Sequence, residues 1–307
     1  MCAFGSCEIE FEKKTYRPGD PVSGKVCCTF PLECIVRDII ITFSGRAKVC
    51  WSDGDGRTYA KIEPLFKMKS SLLQSQTKFG PGRYVYPFTL NLPENLPSSV
   101  EATCGMSRGR IKYKARVKIN RKWSLDCTCE KIFEVYTCND LNAMSSASPV
   151  ERSIEKIPTS LGVSGPIQFT VSLSDDRCVP NQVVRFVARV KNDSCTTVNE
   201  LRFRIVQGFT FHVKSKREEI TVSATDLFAV VNSVVEPGVE KFWKLQLKIP
   251  ANMSVASLPN CNVIKVFWEL RGEVRLSFPH RNMRIEVPLR LGPVSPPENP
   301  ELYGNSH

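Results

Sequence analysis

The stretch RIKYKARVKI, residues 110–119, decides the fold class. Ile111, Tyr113, Ala115, Val117 and Ile119 alternate strictly with Lys112, Lys114, Arg116 and Lys118. Successive side chains of a strand point to opposite faces, so this period of two gives one apolar face and one cationic face. A helix would mix both sets around its circumference. The segment therefore reads as a half-buried strand of an antiparallel sheet.

The same alternation recurs along the chain. Phe88, Leu90 and Leu92 form one series, Val184, Phe186, Ala188 and Val190 another, and Leu201, Phe203 and Ile205 a third. Helical periodicity is scarce. Turn signals separate the runs at Pro18-Gly19-Asp20, Asp53-Gly54-Asp55-Gly56, Pro81-Gly82 and Pro237-Gly238. Many short strands punctuated in this way predict an all-β chain built of immunoglobulin-like sandwiches.

The chain also echoes itself. An offset of 162 residues lays Pro18 on Pro180, Val22 on Val184, Val36 on Val198, Asp38 on Glu200, and Ile39, Ile41 and Phe43 on Leu201, Phe203 and Ile205. Further on, GPGRYVYPFTLNLPEN parallels EPGVEKFWKLQLKIPAN, and Ile111-Lys112 parallels Ile264-Lys265. Each copy has the length of a domain, so the expectation is two tandem sandwiches rather than a solenoid. The boundaries read as a first sandwich over 1–141, a linker over 142–165, a second sandwich over 166–292 and a Pro-rich, disordered tail over 293–307. The residues around Pro149 to Ile157 inside the linker allow a short helix but give little support for one.

Composition bounds the function. The 307 residues are 42% hydrophobic and 24% charged, which is globular. A net charge of +11 predicts attraction to phosphates, acidic partners or an anionic membrane surface. The start, MCAFGSCEIEFEKKTY, lacks a basic segment followed by a long apolar run, so no signal peptide is expected. No stretch reaches the roughly 20 apolar residues of a membrane-spanning helix. Thirteen cysteines include no Cys-x-x-Cys, and reduced cytosolic thiols are expected rather than a zinc site or a disulfide framework.

Catalytic material is thin. His212, His280 and His307 have no nucleophile motif nearby, and no phosphate-cradling Gly-rich loop is present. Asp53-Gly-Asp-Gly starts like a calcium loop, but Arg57 occupies a ligand position and no Glu follows at the required spacing. Asp175-Asp176 reads as a solvated turn pair, and Trp51, Trp123, Trp243 and Trp268 read as core or sheet-edge packing. No enzyme, cofactor or metal is expected.

Five stretches carry a resemblance: TYRPGDPVSGKV (15–26), YPFTLNLPENLPSS (86–99), GRIKYKARVKINRKW (109–123), DLN (140–142) and VPNQVVRFVARVKNDS (179–194). In this order and spacing, across most of residues 5 to 291, they resemble the α-arrestin (arrestin domain-containing) family. The resemblance implies two arrestin-type β-sandwiches and a non-enzymatic cytoplasmic adaptor recruited to the plasma membrane or endosomes. Its implied partners are cytosolic segments of membrane receptors or transporters, phosphorylated ones included, and the machinery of ubiquitination, endocytosis or endosomal sorting. A retromer-type sorting subunit shares this architecture, and Rel-like nucleic-acid regulators also use tandem immunoglobulin-like domains. The chain departs from the family at Arg121-Lys122-Trp123, where Arg-Pro-Trp is common. Pro296-Pro297 is followed by Glu298-Asn299, so these residues form no Pro-Pro-x-Tyr ligand for the WW domains of HECT-type ligases.

The stretch 108–123 holds eight Lys or Arg residues, and the acid-free window around it runs from Ala102 to Leu125. Lys112, Lys114, Arg116 and Lys118 form a row with steps of about 6–7 Å along the strand. Arg108, Arg110, Arg121 and Lys122 are auxiliaries at its ends. One reading is a solvated outer face, since exposed like charges cost little. Another is an anion-receiving face; the resemblance implies that the concave side of the first sandwich takes acidic or phosphorylated segments. Nucleic acid fits less well, because the row lacks aromatic stacking platforms and an inserted base-reading element.

Overall fold

Ile111, Tyr113, Ala115, Val117 and Ile119 are all buried, each at most 1% exposed, in the middle of a sheet. The structure, a computed structural model, describes residues 5–52, 57–104, 107–122, 126–139, 141, 148–158, 164–212, 218–251 and 253–293. The Asp53–Gly56 turn, Trp123, His307 and nearly all of the expected tail lie outside these residues, as do Asp140 and Asn142 of DLN.

Among the described residues the first half contributes ten strands: β1 (Ser6–Phe11), β2 (Thr15–Tyr16), β3 (Pro21–Phe30), β4 (Cys34–Ser52), β5 (Thr58–Leu73), β6 (Thr77–Phe79), β7 (Gly82–Asn91), β8 (Val100–Cys104), β9 (Ser107–Arg121) and β10 (Cys127–Val135). One sheet has the order β1-β3-β7; the other runs β2-β10-β9-β4-β5, with β6 on β4 and β8 on β9. The second half contributes β11 (Val150–Lys156), β12 (Ile167–Leu173), β13 (Arg177–Cys178), β14 (Val183–Asn192), β15 (Val198–His212), β16 (Glu218–Val231), β17 (Val239–Lys248), β18 (Ile264–Leu276) and β19 (Met283–Leu291). Its sheets are β11-β12-β14-β17 and β13-β19-β18-β15-β16.

The two orders are one pattern used twice. β1-β3-β7 corresponds to β12-β14-β17, and β2-β10-β9-β4-β5 corresponds to β13-β19-β18-β15-β16. Even the short parallel pair recurs: Thr15 and Tyr16 lie beside Glu134 and Val135, and Arg177 and Cys178 beside Arg290 and Leu291. The expected alternation is seen in the buried sets Val184, Phe186, Ala188, Val190 and Leu201, Phe203, Ile205.

The chain divides into two compact units. The first comprises Met1–Thr137, Phe209–Thr221 and Ala256–Val266; the second comprises Cys138–Gly208, Val222–Val255 and Phe267–His307. Phe211, Cys261, Val263 and Ile264 belong to the core of the first unit. The Glu63 carboxylate on β5 accepts hydrogen bonds from the backbone N–H of Asn262 at 2.9 Å, the backbone N–H of Val263 at 3.1 Å and the Asn262 side-chain amide at 2.6 Å. Gly109 leaves the space that the Phe211 ring fills: a Cβ there would lie 2.3 Å from the ring.

Two sequence expectations are corrected. The short helix allowed around Pro149 to Ile157 is instead β11, paired antiparallel with β12 from Val150↔Leu173 to Lys156↔Ile167. Its outward residues Glu151, Ser153 and Glu155 alternate with Arg152, Ile154 and Lys156, a pattern hidden by charge on both faces of an edge strand. The thiols are not all reduced: Cys7 on β1 and Cys129 on β10 form a disulfide, with Cα atoms 5.8 Å apart. Residues 122 apart in sequence meet because β1 and β10 belong to different sheets of one sandwich. Cysteine count and spacing carry no information about such a meeting.

Candidate functional site

Strand β9 is central. On one side it pairs with β4 from Val36↔Arg121 to Cys50↔Arg108; on the other it pairs with β8 near its start and β10 further on. Its odd residues fill the core. The Tyr113 hydroxyl, buried, donates to the Pro97 carbonyl oxygen at 2.6 Å, and burial holds its pKa well above the usual phenol range. Burying an Ile or Val side chain contributes about 1.5–3 kcal/mol each, whereas an exposed ion pair contributes about 0–1 kcal/mol. The inner face therefore holds the strand, and the outer charges contribute little to its stability.

Lys112, Lys114, Arg116 and Lys118 do stand together on the outer face, but they are not bare. Lys114 lies 2.8 Å from Glu130 on β10, and Arg116 pairs with the same carboxylate. Lys118 lies 2.9 Å from Asp126. Glu101 on β8 pairs with Arg108 and lies 3.5 Å from Lys112. Glu101 and Asp126 are the acids that bound the acid-free window, and antiparallel pairing folds both back onto it. Hydrogen bonding to Arg108 holds the Glu101 carboxyl below its usual pKa; Lys118 does the same for Asp126 and Lys114 for Glu130. The row is thus masked by three carboxylates.

The auxiliaries divide. Arg108 and Arg110 share the outer face. Arg121 does not: its odd number puts it in phase with the core residues, and it is only 7% exposed. Its expected place among surface cations is corrected by the strand period itself. Lys122 follows the end of β9, its backbone N–H donating to the Ile35 carbonyl oxygen.

The face extends where sequence reading did not look. Arg46 lies opposite Lys112, Lys48 opposite Arg110, and Lys67 and Lys69 lie beyond Ser44 and Thr42. Even-numbered cations along β4 would have revealed the first two. Beside Lys112, where β8 and β10 meet, lies a concavity of about 510 Å³ lined by Glu101, Val100, Ile132, Glu134 and Tyr136. Ile132 is 60% exposed, so a charged row and an apolar notch adjoin.

The other candidates are occupied by structural contacts. Asp175 pairs with Arg177 at 3.2 Å and Asp176 with Arg290 at 2.5 Å. Trp51 stacks on Tyr59, and the buried Trp268 indole donates to the Ser254 carbonyl oxygen at 3.2 Å. Among the described residues no group of three or more His, Cys, Asp or Glu side chains is placed to hold a metal ion, and no helix is long and apolar enough to cross a membrane.

Comparison with known proteins places this geometry. Residues 6–142 match the arrestin (or S-antigen) N-terminal domain, and residues 163–296 match the arrestin (or S-antigen) C-terminal domain. Arrestin domain-containing protein 17 of Caenorhabditis elegans is 21% identical over 92% of this chain and 68% of its own length. Thioredoxin-interacting protein of Mus musculus is 22% identical over 94% of this chain and 73% of its own. A probable HECT-type ubiquitin ligase-interacting protein of Aspergillus oryzae is 29% identical over 147 residues, 44% of this chain and 24% of its own length. With both domains matched in order, and the strand order repeated as the sequence echo requires, the chain belongs to the arrestin family, among its arrestin domain-containing (α-arrestin) members.

Proposed function

We propose that the chain is a non-enzymatic cytoplasmic adaptor that binds cytosolic segments of membrane proteins and brings them to ubiquitination or sorting machinery at the plasma membrane or endosomes. The observation that carries the reading is the masked cationic row of β9. An acidic or phosphorylated segment replaces Glu101, Asp126 and Glu130 as the partner of Lys112, Lys114, Arg116 and Lys118. Exchange of one set of exposed ion pairs for another costs little, while a phosphoryl group brings stronger, charge-assisted hydrogen bonds than the carboxylate it displaces. Selectivity then follows from the apolar notch beside Lys112.

Family membership supports the adaptor role, and the name of the Aspergillus relative supports a link to HECT-type ligases. These 307 residues contain no Pro-Pro-x-Tyr. Gentle affinity purification of the full chain from membranes tests the proposal. Co-purification of membrane proteins and ubiquitination or sorting factors is the expected result; their absence overturns it.

A further inference from the structure

The outer face of the β11-β12-β14-β17 sheet carries a concavity of about 630 Å³ near the end of β12. Its polar lining among the described residues is Ser172, Ser174, Arg185, Lys244 and Gln246, with Val187 between them; no carboxylate of those residues lines it, and Glu151 stands one strand away, opposite Ser172. Val187 lies opposite Lys244 and Arg185 opposite Gln246. Arg185 and Lys244 are therefore diagonal neighbours, about 7–8 Å apart, and both line the concavity with Val187.

None of the five polar side chains has a hydrogen-bond or ion-pair partner among the described residues. Two neighbouring cations of the same face are paired. Arg189 pairs with Glu240 and feels the field of Glu151, and Lys191 lies 2.7 Å from Asp193. Among the described residues Arg185 and Lys244 thus stay unpaired within the concavity, as Lys248 does beyond it on the same face.

We propose that this concavity binds a phosphate monoester. Arg185 offers a planar fork that matches two phosphoryl oxygens, and Lys244 offers a second positive charge. Two cations suit a group carrying about −1.5 to −2 charges at pH 7, which a carboxylate or a phosphodiester does not. Ser172, Ser174 and Gln246 supply neutral donors for the remaining lone pairs. Phe242, 69% exposed and two residues from Lys244 on the same strand face, gives the organic part of the ester an apolar surface. The monoester has two chemical sources, a soluble metabolite or the headgroup of a phosphoinositide.

The full chain is titrated calorimetrically with glycerol 3-phosphate. It is also sedimented with phosphatidylcholine vesicles, plain or containing phosphatidylinositol 4-phosphate or phosphatidylserine. Saturable binding is expected, weakened about tenfold or more by Arg185→Gln or Lys244→Gln and unchanged by Arg189→Gln, whose cation is already engaged. Binding of glycerol 3-phosphate without phosphoinositide vesicles assigns a soluble source. Vesicle binding that glycerol 3-phosphate competes away assigns the headgroup. The proposal falls if neither probe binds, if Arg189→Gln weakens binding equally, or if phosphatidylserine vesicles bind as well as phosphoinositide ones. Because Arg185 and Lys244 are exposed, unchanged thermal melting of the variants keeps the loss attributable to the site.

Discussion

Gly19 and Asn181 hold the same left-handed backbone conformation, with φ of 83° and 70°, one repeat offset apart. The turns around them are built alike. The backbone N–H of Asp20 donates to the Arg17 carbonyl at 3.1 Å while its carboxylate accepts from the Arg17 N–H at 2.8 Å. In the second copy Gln182 donates to Val179 at 3.1 Å and accepts from its N–H at 2.9 Å. A carboxylate and an amide do the same work because both present a carbonyl-type oxygen.

This turn yields a stability prediction. A Cβ at Gly19 would meet only the Glu94 side chain, at 3.8 Å, so the cost of Gly19→Ala is conformational, about 1–2 kcal/mol. Asn visits the left-handed region readily, and Asn181→Gly changes stability by less than about 0.5 kcal/mol. Urea denaturation of both variants measures the difference; equal tolerance at the two sites contradicts the shared conformation.

Gly109 and Phe211 give a second. Gly109→Ala forces a Cβ into the buried ring and lowers stability by about 1–3 kcal/mol. Phe211→Ala is also destabilising, but adding Gly109→Ala to it costs little more, because the clash has gone. Additive losses in denaturant melts would show that the two residues do not share the space.

Cysteine reactivity gives a third. Burial pushes the Cys28 and Cys178 thiols up to about 12. At pH 8 about one such thiol in ten thousand is the reactive thiolate. Brief iodoacetamide treatment of the native chain should therefore modify exposed Cys195 and spare Cys28 and Cys178 until denaturant is added. Peptide mass spectrometry reads the order, and early labelling of Cys28 would contradict its buried position.

Masking of the cationic row gives a fourth. Glu130→Gln releases both Lys114 and Arg116 and should raise affinity for an acidic or phosphorylated peptide about threefold to tenfold. Lys112→Glu with Lys114→Glu should lower it at least as much while leaving the fold intact, since both side chains are on the outer face. Fluorescence anisotropy with a phosphoserine peptide and its unphosphorylated form measures both. Identical affinities in all three proteins would return β9 to a merely solvated face.

What the sequence disclosed was periodic or local. Alternation at 111–119 and 184–190 exposed the strands, and the ordered echo exposed two sandwiches, because both signals lie within a few residues of each other or repeat in register. What it concealed was meeting in space. Glu101 and Asp126 stand outside the acid-free window in sequence and against it in the sheet. Phe211, Val263 and Ile264 read as residues of the second copy, yet they complete the core of the first unit. The second-copy strand parallel to β9 carries no cationic row; its Glu269 and Arg271 are buried and pair with each other. Arg121 was misplaced by charge, which marks surface only on average, whereas the period of two fixed its side.

Proximity labelling in intact cells tests the central claim most directly, with the full chain compared against Lys112→Glu/Lys114→Glu. The account predicts that the natural chain labels membrane proteins bearing acidic or phosphorylatable cytosolic segments, together with ubiquitination or sorting factors, and that the charge-reversed chain loses the membrane proteins. An unchanged set of labelled membrane proteins, or none with either chain, would contradict it.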